Sequence, residues 1–164
     1  MSMYFHLRSV PAPALRNSAN WLQRLFEDDR DAVRWRIDRR REEVLDRRYL
    51  DQELLYACAP SHAEENGAGN DVVLGGTPVF PGDRQGPPLL LLPAGRAARV
   101  AAFLTTTDFE TLWRLARDHL LPRYDGTATE TETRCALEAA HRDLRSFYAQ
   151  TAEYGDAVVK RLMR

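Results

Sequence analysis

The stretch Leu89-Leu90-Leu91-Leu92 decides the fold, because it is the densest apolar run in the chain. Pro88 precedes this run and Pro93 follows it, so the segment offers only four residues for regular structure. A run this short cannot form a helix with its own caps, whereas it suits a strand that is buried on both faces. We therefore expect these leucines to be almost completely buried, with the core of the protein formed around them.

Turns precede the leucine run and a helix pattern follows it. Residues 72–74 form a short apolar step that ends at Gly75 and Gly76, and residues 81–88 form a second loop. The two glycines lack the frame of a phosphate-binding loop, so they predict a tight turn where backbone segments approach closely. After Pro93, apolar residues recur at helical spacing at Ala97, Val100, Ala101 and Leu104.

The two ends of the chain are expected to meet in one sheet. Residues 3–9 alternate between apolar and polar side chains, which predicts a strand with one buried face. The longest helix pattern runs from about residue 130 to 154, and Gly155 ends it. Residues 156–163 fit either one more turn of helix or a final strand; a strand here would pair with residues 3–9.

Helical patterns fill much of the remaining chain. Ser18 is a suitable cap for a helix whose apolar stripe includes Trp21, and residues 49–58 predict another helix. Thr107 and Glu110 form a capping-box sequence for the helix that follows them.

The segment 28–48 is dense in charge, with eight arginines and seven acidic residues. Acidic residues precede arginines by three or four positions, as in Asp31–Arg34 and Glu43–Arg47. This spacing predicts a solvent-exposed amphipathic helix that is stabilised by ion pairs. The alternative is an arginine-rich binding helix, but the charges nearly cancel and favour the first interpretation.

The length and composition of the chain exclude several classes of protein. A chain of 164 residues predicts a single domain over residues 1–164. With 23 basic and 24 acidic residues, the net charge of −1 argues against binding to nucleic acid or to an anionic membrane. Lys160 is the only lysine, and the other basic residues are arginines. A GC-rich genome produces this preference for arginine over lysine. Cys58 and Cys135 lack metal-ligand spacing, and no signal-peptide or membrane-span pattern occurs, so we expect a cytoplasmic protein.

Several stretches together resemble a known family. Leu45-Asp46-Arg47-Arg48-Tyr49 stands where that family has Leu-Asp-Lys-x-Trp before a helix, and Leu74-Gly75-Gly76 matches its Leu-Gly-Gly. Gly86-Pro87-Pro88 leads to Leu92 as in its Gly-x-Pro-x-x-x-Leu. The closing pattern of leucine, aromatics, small residues, glycine and an aliphatic run comprises Leu144, Phe147, Tyr148, Ala152, Gly155, Val158 and Val159. On these residues, the chain resembles the YfbM-like family of small bacterial proteins of unknown function over nearly its whole length.

The resemblance implies an α+β fold and favours a strand for residues 156–163. We expect a small sheet that holds the N-terminal strand, the Leu89–Leu92 strand and the C-terminal strand, packed by several helices. The resemblance implies no activity and no cofactor. Tyr49 replaces the family's tryptophan, Arg47 replaces its lysine, and Glu53 is the nearest position to its histidine. A site built on those family residues would therefore be altered here.

The first strand carries one candidate site. Strand alternation places Tyr4, His6 and Arg8 on the same side, away from the apolar face. Three polar side chains on a rigid sheet could form the floor of a cleft, together with Tyr49 or Glu53. The alternative is a sheet face that meets water, or one covered by a helix whose ends these side chains satisfy.

The polar loop at 61–71 carries the second candidate site, with His62, Glu64 and Glu65. These residue types could bind a metal or transfer protons, but their spacing matches no metal motif, so a solvated loop is expected and no metal is predicted. His141 falls on an apolar helix stripe and is expected in the core. His119 lies near a helix end, where a cation is favourable.

Two functional hypotheses follow, and neither assigns a catalytic residue. The first is a non-catalytic binding or adaptor protein that recognises a protein partner through the loops at 61–71 and 81–86, held together by Gly75 and Gly76. The second is a hydrolase or transferase that acts on a small polar substrate at the Tyr4/His6/Arg8 face. No cofactor, nucleic acid or membrane is predicted as a ligand, and no oligomeric state is predicted.

Overall fold

A five-stranded antiparallel sheet organises the protein, with the strand order β2-β1-β5-β4-β3. The computed structural model describes residues 3–27, 41–59, 67–82, 86–124 and 129–164. The strands are β1 (Tyr4–Val10), β2 (Glu42–Leu45), β3 (Thr77–Val79), β4 (Leu89–Leu92) and β5 (Ala157–Met163). Tyr4 pairs with Met163 and Val10 with Ala157, so the predicted C-terminal strand and its partner are confirmed.

Five α-helices and three short 3₁₀ segments lie in the described ranges. The helices are α1 (Ala19–Arg24), α2 (Tyr49–Ala57), α3 (Ala94–Thr106), α4 (Phe109–Leu120) and α5 (Glu130–Glu153). The 3₁₀ segments are Ala12–Arg16, Ala68–Asp71 and Leu121–Tyr124. These elements confirm the predicted α+β class, and no helix in the described ranges is long and apolar enough to cross a bilayer.

The sheet separates a large core from a small one. The large core lies between the sheet and helices α2–α5, and it includes Leu7, Leu92 and Phe147. The small core lies on the other face, where Leu22 and Phe26 cover Val10, Leu89, Ala157 and Val159. Both faces of the sheet are therefore buried, as the apolar runs of β4 and β5 require.

The leucine strand is less uniformly buried than expected. Leu89 and Leu92 are fully buried, whereas Leu90 and Leu91 are half-buried. Alternation directs Leu92 into the large core and Leu89 into the small one. Leu90 and Leu91 lose part of this cover because β3, which pairs with β4 at the sheet edge, is only three residues long.

The prediction of one helix over 28–48 is wrong for residues 42–45, which form β2. Residues 28–40 lie outside the described ranges. In β2, Leu45 is buried in the large core and pairs with Phe5 of β1, which only a strand allows. The charge spacing of Glu43 and Arg47 imitates a helical ion pair, but burial and pairing with β1 override that local preference.

Two other sequence predictions are corrected. Residues 77–79 form the edge strand β3, which was not predicted because Pro78 disfavours a strand except at an edge. The N-cap of α4 is Asp108, whose Oδ1 accepts from Thr111 N at 2.8 Å, rather than Thr107. Asp is as good an N-cap residue as Thr, so starting the helix one residue later does not lower its stability.

In α1, Trp21 is 41% exposed and does not join the buried stripe.

The longest helix is fixed at both ends. Thr129 and Glu132 form a capping box at the start of α5, with Glu132 N donating to Thr129 Oγ1 at 3.2 Å. At the other end, Gly155 adopts φ +65°, a left-handed conformation that glycine accepts without strain. The helix thus has a defined register, which sets the positions of Ala136 and Leu137 beside β2 and α2.

Candidate functional site

A cleft of about 140 Å³ lies between the edge strand β2, helix α2 and helix α5. Residues 43–46 and Arg48 form one wall, Gln52 of α2 forms the second, and Ala136, Leu137 and Ala140 of α5 form the third. The cleft includes two buried polar side chains, Glu43 and Gln52. Buried polar groups in a cavity supply fixed hydrogen-bonding positions, which is what a recognition site needs.

The local sequence explains how the β2–α2 wall forms. Asp46 follows β2, and its Oδ1 accepts from Arg48 N at 2.8 Å, which closes a turn of the kind that Asp favours. Tyr49 N donates to Asp46 O at 3.0 Å, and α2 starts at this point. Arg48 therefore lies at the rim of the cleft, where its guanidinium is 3.6 Å from Asp46 Oδ2.

The outer edge of β2 contributes backbone groups to this region. Ser9 N donates to Arg41 O at 2.9 Å, and His6 lies opposite Val44 in the same antiparallel register. Bonded and non-bonded pairs alternate along an antiparallel ladder, so the N–H and C=O of Val44 point away from β1. Val44 N donates instead to Glu43 Oε1 at 3.1 Å. The Glu43 carboxylate thus takes the position that an added strand would need.

Gln52 connects the cleft to a buried hydrogen-bond network. Its Nε2 donates to Tyr56 Oη at 3.0 Å and to Leu137 O at 3.3 Å, and Tyr56 Oη lies 3.0 Å from His141 Nδ1. Burial lowers the pKa of His141 to about 4, so the imidazole is neutral near pH 7. Burial also raises the pKa of Tyr56, which keeps its hydroxyl protonated.

Helix α2 is held in place beside this network. Asp51, next to Gln52, accepts a hydrogen bond from the Tyr124 hydroxyl and lies 2.6 Å from Arg123 Nε. Burial, followed by the nearby Asp51 carboxylate, raises the pKa of Tyr124 to about 12. These contacts join α2 to the 3₁₀ segment after α4, so Gln52 is fixed from two sides.

In the predicted Tyr4/His6/Arg8 face, His6 is covered, whereas Tyr4 and Arg8 are half-buried. His6 is 3% exposed, with Nε2 3.3 Å from Glu42 Oε2 and the Phe26 ring edge-on at 5.0 Å between centroids. Arg8 lies 3.4 Å from Glu42 Oε1 and donates to the Leu25 carbonyl at the end of α1. This matches the alternative interpretation, in which the polar side chains satisfy the end of a covering helix.

The predicted grouping of that face with Tyr49 or Glu53 does not form. Tyr49 stacks on Phe5 with 5.5 Å between ring centroids, and Glu53 Oε2 accepts from Leu74 N at 3.1 Å. Phe5 and His6 point to opposite faces of the sheet because they are adjacent in a strand. Tyr49 and Glu53 therefore belong to the helical side, across the sheet from His6.

Gly75 and Gly76 form the close backbone approach that the sequence predicts. A Cβ on Gly75 would lie 2.3 Å from Asn70 O and 2.4 Å from Asp71 Oδ1, so only glycine fits there. Gly76 adopts φ +134°, which also favours glycine. The two glycines are structural, because their role is to fold residues 67–76 against the core.

The sequence did not reveal the side chains that hold this segment. Lys160 is fully buried, and its Nζ donates to Asp71 O at 2.5 Å and to Gly75 O at 2.9 Å. Tyr148 Oη donates to Val72 O at 2.7 Å. Burial lowers the pKa of Lys160 to about 7. Two features of the sequence could have indicated this role. Lys160 is the only lysine in an arginine-rich chain, and it falls at an inward-facing position of an apolar strand.

Two other features of the described residues bear on a possible site. A wider groove of about 620 Å³ is lined by Met3, Gly86, Pro87 and residues 161–164, but none of these residues is buried, so it lacks fixed polar groups. In the described ranges, no three His, Cys, Asp or Glu side chains are placed to hold a metal ion. His62, Glu64 and Glu65 lie outside those ranges.

Comparison with known proteins identifies the family. The model of a domain of unknown function, DUF1877, matches residues 1–160. The chain belongs to the DUF1877 family. The fold is similar to the crystal structure of YfbM from Escherichia coli, a protein of unknown function, with a TM-score of 0.53 and 18% identity over 99% of this chain and 100% of that chain. No curated protein matches.

The family match confirms the resemblance to YfbM-like proteins and gives its motifs a structural meaning. In this DUF1877 chain, residues 45, 46 and 48 of the Leu-Asp-Arg-Arg-Tyr stretch line the cleft. Leu74-Gly75-Gly76 lies in the segment that Lys160 and Glu53 hold. At 18% identity, the likeness to YfbM shows the fold alone.

Proposed function

We propose that this DUF1877 protein is a cytoplasmic, non-catalytic binding protein that recognises a protein partner, and that the cleft beside β2 receives one side chain of that partner. The observation that carries the proposal is the cleft volume of about 140 Å³, combined with its buried Glu43 and Gln52. A cavity of about 150 Å³ holds one benzene molecule, whereas pockets for drug-sized ligands are roughly 300–1,000 Å³. The cleft therefore suits a single side chain.

The chemistry around the cleft supports binding rather than catalysis. His141 Nδ1 lies 3.0 Å from Tyr56 Oη, and the lowered pKa of His141, about 4, makes it a weak base near neutral pH. Burial raises the pKa of Tyr56, so its hydroxyl is a poor proton donor. Efficient acid–base catalysis needs groups whose pKa lies near the working pH.

The alternative, a hydrolase or transferase at Tyr4, His6 and Arg8, requires a substrate to reach the His6 ring. The contacts of His6 with Glu42 and Phe26 bury that ring, so they do not support such access. In the loop at 61–71, Gly67, Gly69 and Asp71 are buried, and residues 61–66 lie outside the described ranges, so no described contact supports recognition at this loop. We therefore place recognition at the β2 cleft.

The proposal is tested by filling the cleft and measuring partner capture. Ala136→Leu adds a side chain to the cleft wall, and Ala149→Leu makes the same change at an exposed position of the same helix. Both variants and the original protein are immobilised, and proteins captured from the producing cell are quantified by mass spectrometry. Thermal unfolding confirms that each variant is folded.

We expect one captured protein to be depleted at least tenfold by Ala136→Leu and retained by Ala149→Leu. A tenfold loss corresponds to about 1.4 kcal/mol, which is a modest share of an anchor residue's contribution to an interface. If every captured protein is retained equally by both variants, the cleft does not receive a partner and the proposal is wrong.

A further inference from the structure

We propose that a second pocket, separate from the β2 cleft, binds a free aromatic α-amino acid. This pocket has a volume of about 280 Å³ and lies where β1 and α5 end and β5 begins. It is lined by Ser9, Pro11, Arg41, Gln150, Tyr154 and Asp156, none of which lines the β2 cleft. Binding of a small molecule here does not depend on the protein partner proposed for the β2 cleft.

Strand register places a positive and a negative side chain on one face of the sheet. Ser9 stands two positions after Leu7 in β1, so its side chain points to the face that the helices cover. Ser9 N donates to Arg41 O at 2.9 Å, so Arg41 lies opposite Ser9 and shares that face. On the other side of β1, Asp156 Oδ2 accepts from Ser9 Oγ at 3.1 Å. Neighbouring strands lie about 4.8 Å apart, so the backbones of Arg41 and Asp156 are separated by roughly 10 Å.

These two charges are not neutralised within the described part of the chain. Arg41 is exposed and forms no ion pair there, and the described contact of the Asp156 carboxylate is its hydrogen bond with Ser9. A carboxylate offers about four acceptor positions, so Asp156 keeps capacity for an ammonium group. A guanidinium binds a carboxylate through two parallel hydrogen bonds. A ligand with both an ammonium and a carboxylate group satisfies both charges, whereas a ligand with one charge leaves the other unpaired.

An aromatic ring forms another wall of the pocket. Gln150 and Tyr154 are one turn apart at the end of α5, with Tyr154 N donating to Gln150 O at 3.2 Å. Tyr154 is 64% exposed, so its ring is accessible beside the pocket, and Pro11 adds a second apolar surface. Aromatic rings that pack on each other gain stability beyond the area that they bury. The pocket therefore favours an amino acid whose side chain is aromatic.

The volume of the pocket agrees with a ligand of this size. A cavity of about 150 Å³ holds one benzene molecule, so a pocket of about 280 Å³ suits a ligand roughly twice as large. Phenylalanine, which adds a short carbon chain, an ammonium and a carboxylate group to a benzene ring, has about this size. Pockets for drug-sized ligands are roughly 300–1,000 Å³, so a ligand as large as a nucleotide exceeds this pocket.

The proposal is tested by nuclear magnetic resonance titration of the unmodified full chain with phenylalanine. The controls are phenethylamine, which lacks the carboxylate, and 3-phenylpropionate, which lacks the ammonium group. We expect phenylalanine to shift the amide signals of Ser9, Gln150 and Asp156. Each control should bind at least tenfold more weakly, because it loses hydrogen bonds to a charged group. If either control binds as tightly as phenylalanine, or if phenylalanine shifts none of these signals, the proposal is wrong.

The aromatic part of the ligand has its own test. Free alanine keeps both charges but lacks the ring, so it should bind roughly two- to tenfold more weakly than phenylalanine. Tyr154→Ala should remove this preference. Equal affinities of alanine and phenylalanine for the unmodified protein would overturn the aromatic class.

Two substitutions test the charged groups separately. Arg41→Gln removes the positive charge, with Arg114→Gln as the matched change at an exposed position of α4. Asp156→Asn keeps an acceptor for the Ser9 hydroxyl and removes the negative charge, with Asp118→Asn as its exposed control. We expect Arg41→Gln and Asp156→Asn to weaken phenylalanine binding at least tenfold, while both controls keep the original affinity. Affinities equal to those of the controls would overturn the proposed roles.

Failure of this site and failure of the β2 cleft can be told apart. Ala136→Leu fills the β2 cleft, so it should leave phenylalanine binding unchanged. If phenylalanine shifts the signals of Val44, Gln52 and Ala136 instead, it binds the β2 cleft and the second site is wrong. If phenylalanine binds as expected but Ala136→Leu leaves partner capture unchanged, only the proposed protein recognition is wrong.

Discussion

Lys160 Nζ donates a hydrogen bond of 2.9 Å to the carbonyl oxygen of Gly75, although 85 positions separate the two residues in sequence. The same amine donates to Asp71 O, and the Asp71 carboxylate binds the Arg96 guanidinium through two hydrogen bonds of 2.9 and 2.6 Å. Side chains of β5 and α3 thereby hold the segment that precedes β3. These buried contacts make the stability of the protein sensitive to pH and to the space at Gly75.

We expect the free energy of unfolding to rise as the pH is raised from about 7 towards 10.5. Burial lowers the pKa of Lys160 from its ordinary 10.5 to about 7, with the Asp71 and Glu53 charges opposing that shift. Within this window the unfolded chain binds a proton that the folded chain releases, so a higher pH favours the folded state. Lys160→Met removes this titration. Urea unfolding of both proteins across the window measures it, and equal slopes would contradict the assignment.

We expect the same direction of dependence on the acid side, where His141 controls it. Burial lowers the pKa of His141 from 6.5 to about 4, so the unfolded chain takes up a proton first as the pH falls between these values. The folded state then loses stability, by about 1–3 kcal/mol for a shift of this size. His141→Gln keeps a hydrogen-bonding group beside Tyr56 without titrating. The loss between pH 6.5 and 4 should be smaller in this variant, and an equal loss would show that other groups control it.

Two glycine-to-alanine changes should have opposite effects. Gly75→Ala places a Cβ 2.3 Å from Asn70 O, a contact that the backbone cannot relieve without moving, so we expect a loss of about 2 kcal/mol or more. Gly95→Ala places its Cβ in open space within α3, where alanine is favoured by about 0.5–1 kcal/mol. Thermal unfolding should lower the midpoint of the first variant and raise that of the second. A stable Gly75→Ala protein would show that this segment adjusts freely.

The leucines of β4 should differ in their contributions to stability. Leu92→Ala empties a fully buried position in the large core and should cost about 2–5 kcal/mol. Leu91 is half-buried, so Leu91→Ala removes less buried surface and should cost less. Denaturant midpoints of the two variants test this order, and equal midpoints would mean that exposure does not govern the cost at this strand.

Elements with a strong apolar period were predicted well. The leucine run, α2 and α5 appear close to their expected positions, because each has either a dense apolar run or a clear stripe. For β5 the pattern left helix and strand open, and only the family resemblance favoured the strand. His141 was expected in the core because it falls on the stripe of α5, and it is buried. Such patterns are local, so they can be read without knowledge of what packs against them.

The candidate cleft could not be predicted in this way. Its main wall is β2, where the spacing of the charged residues predicts a helix instead of a strand. Its other walls come from α2 and α5, about 10 and 90 residues further along the chain. Neither Glu43 nor Gln52 stands in a recognisable motif. The contact of Phe26 with His6 was not predicted for the same reason, since it depends on how the chain returns over the sheet.

The sequence by itself determined the N-terminal strand, the leucine strand and the tight turn at Gly75 and Gly76, and the family resemblance added the α+β class and the C-terminal strand. The first three follow from hydrophobic period, chain length and backbone sterics, which act over a few residues. Only the tertiary structure decided that Glu42–Leu45 is a strand, that Lys160 is buried against two carbonyls, and that Glu43 and Gln52 share a cleft. Each of these depends on pairing and burial between distant segments, and burial can override the local preference of any short stretch.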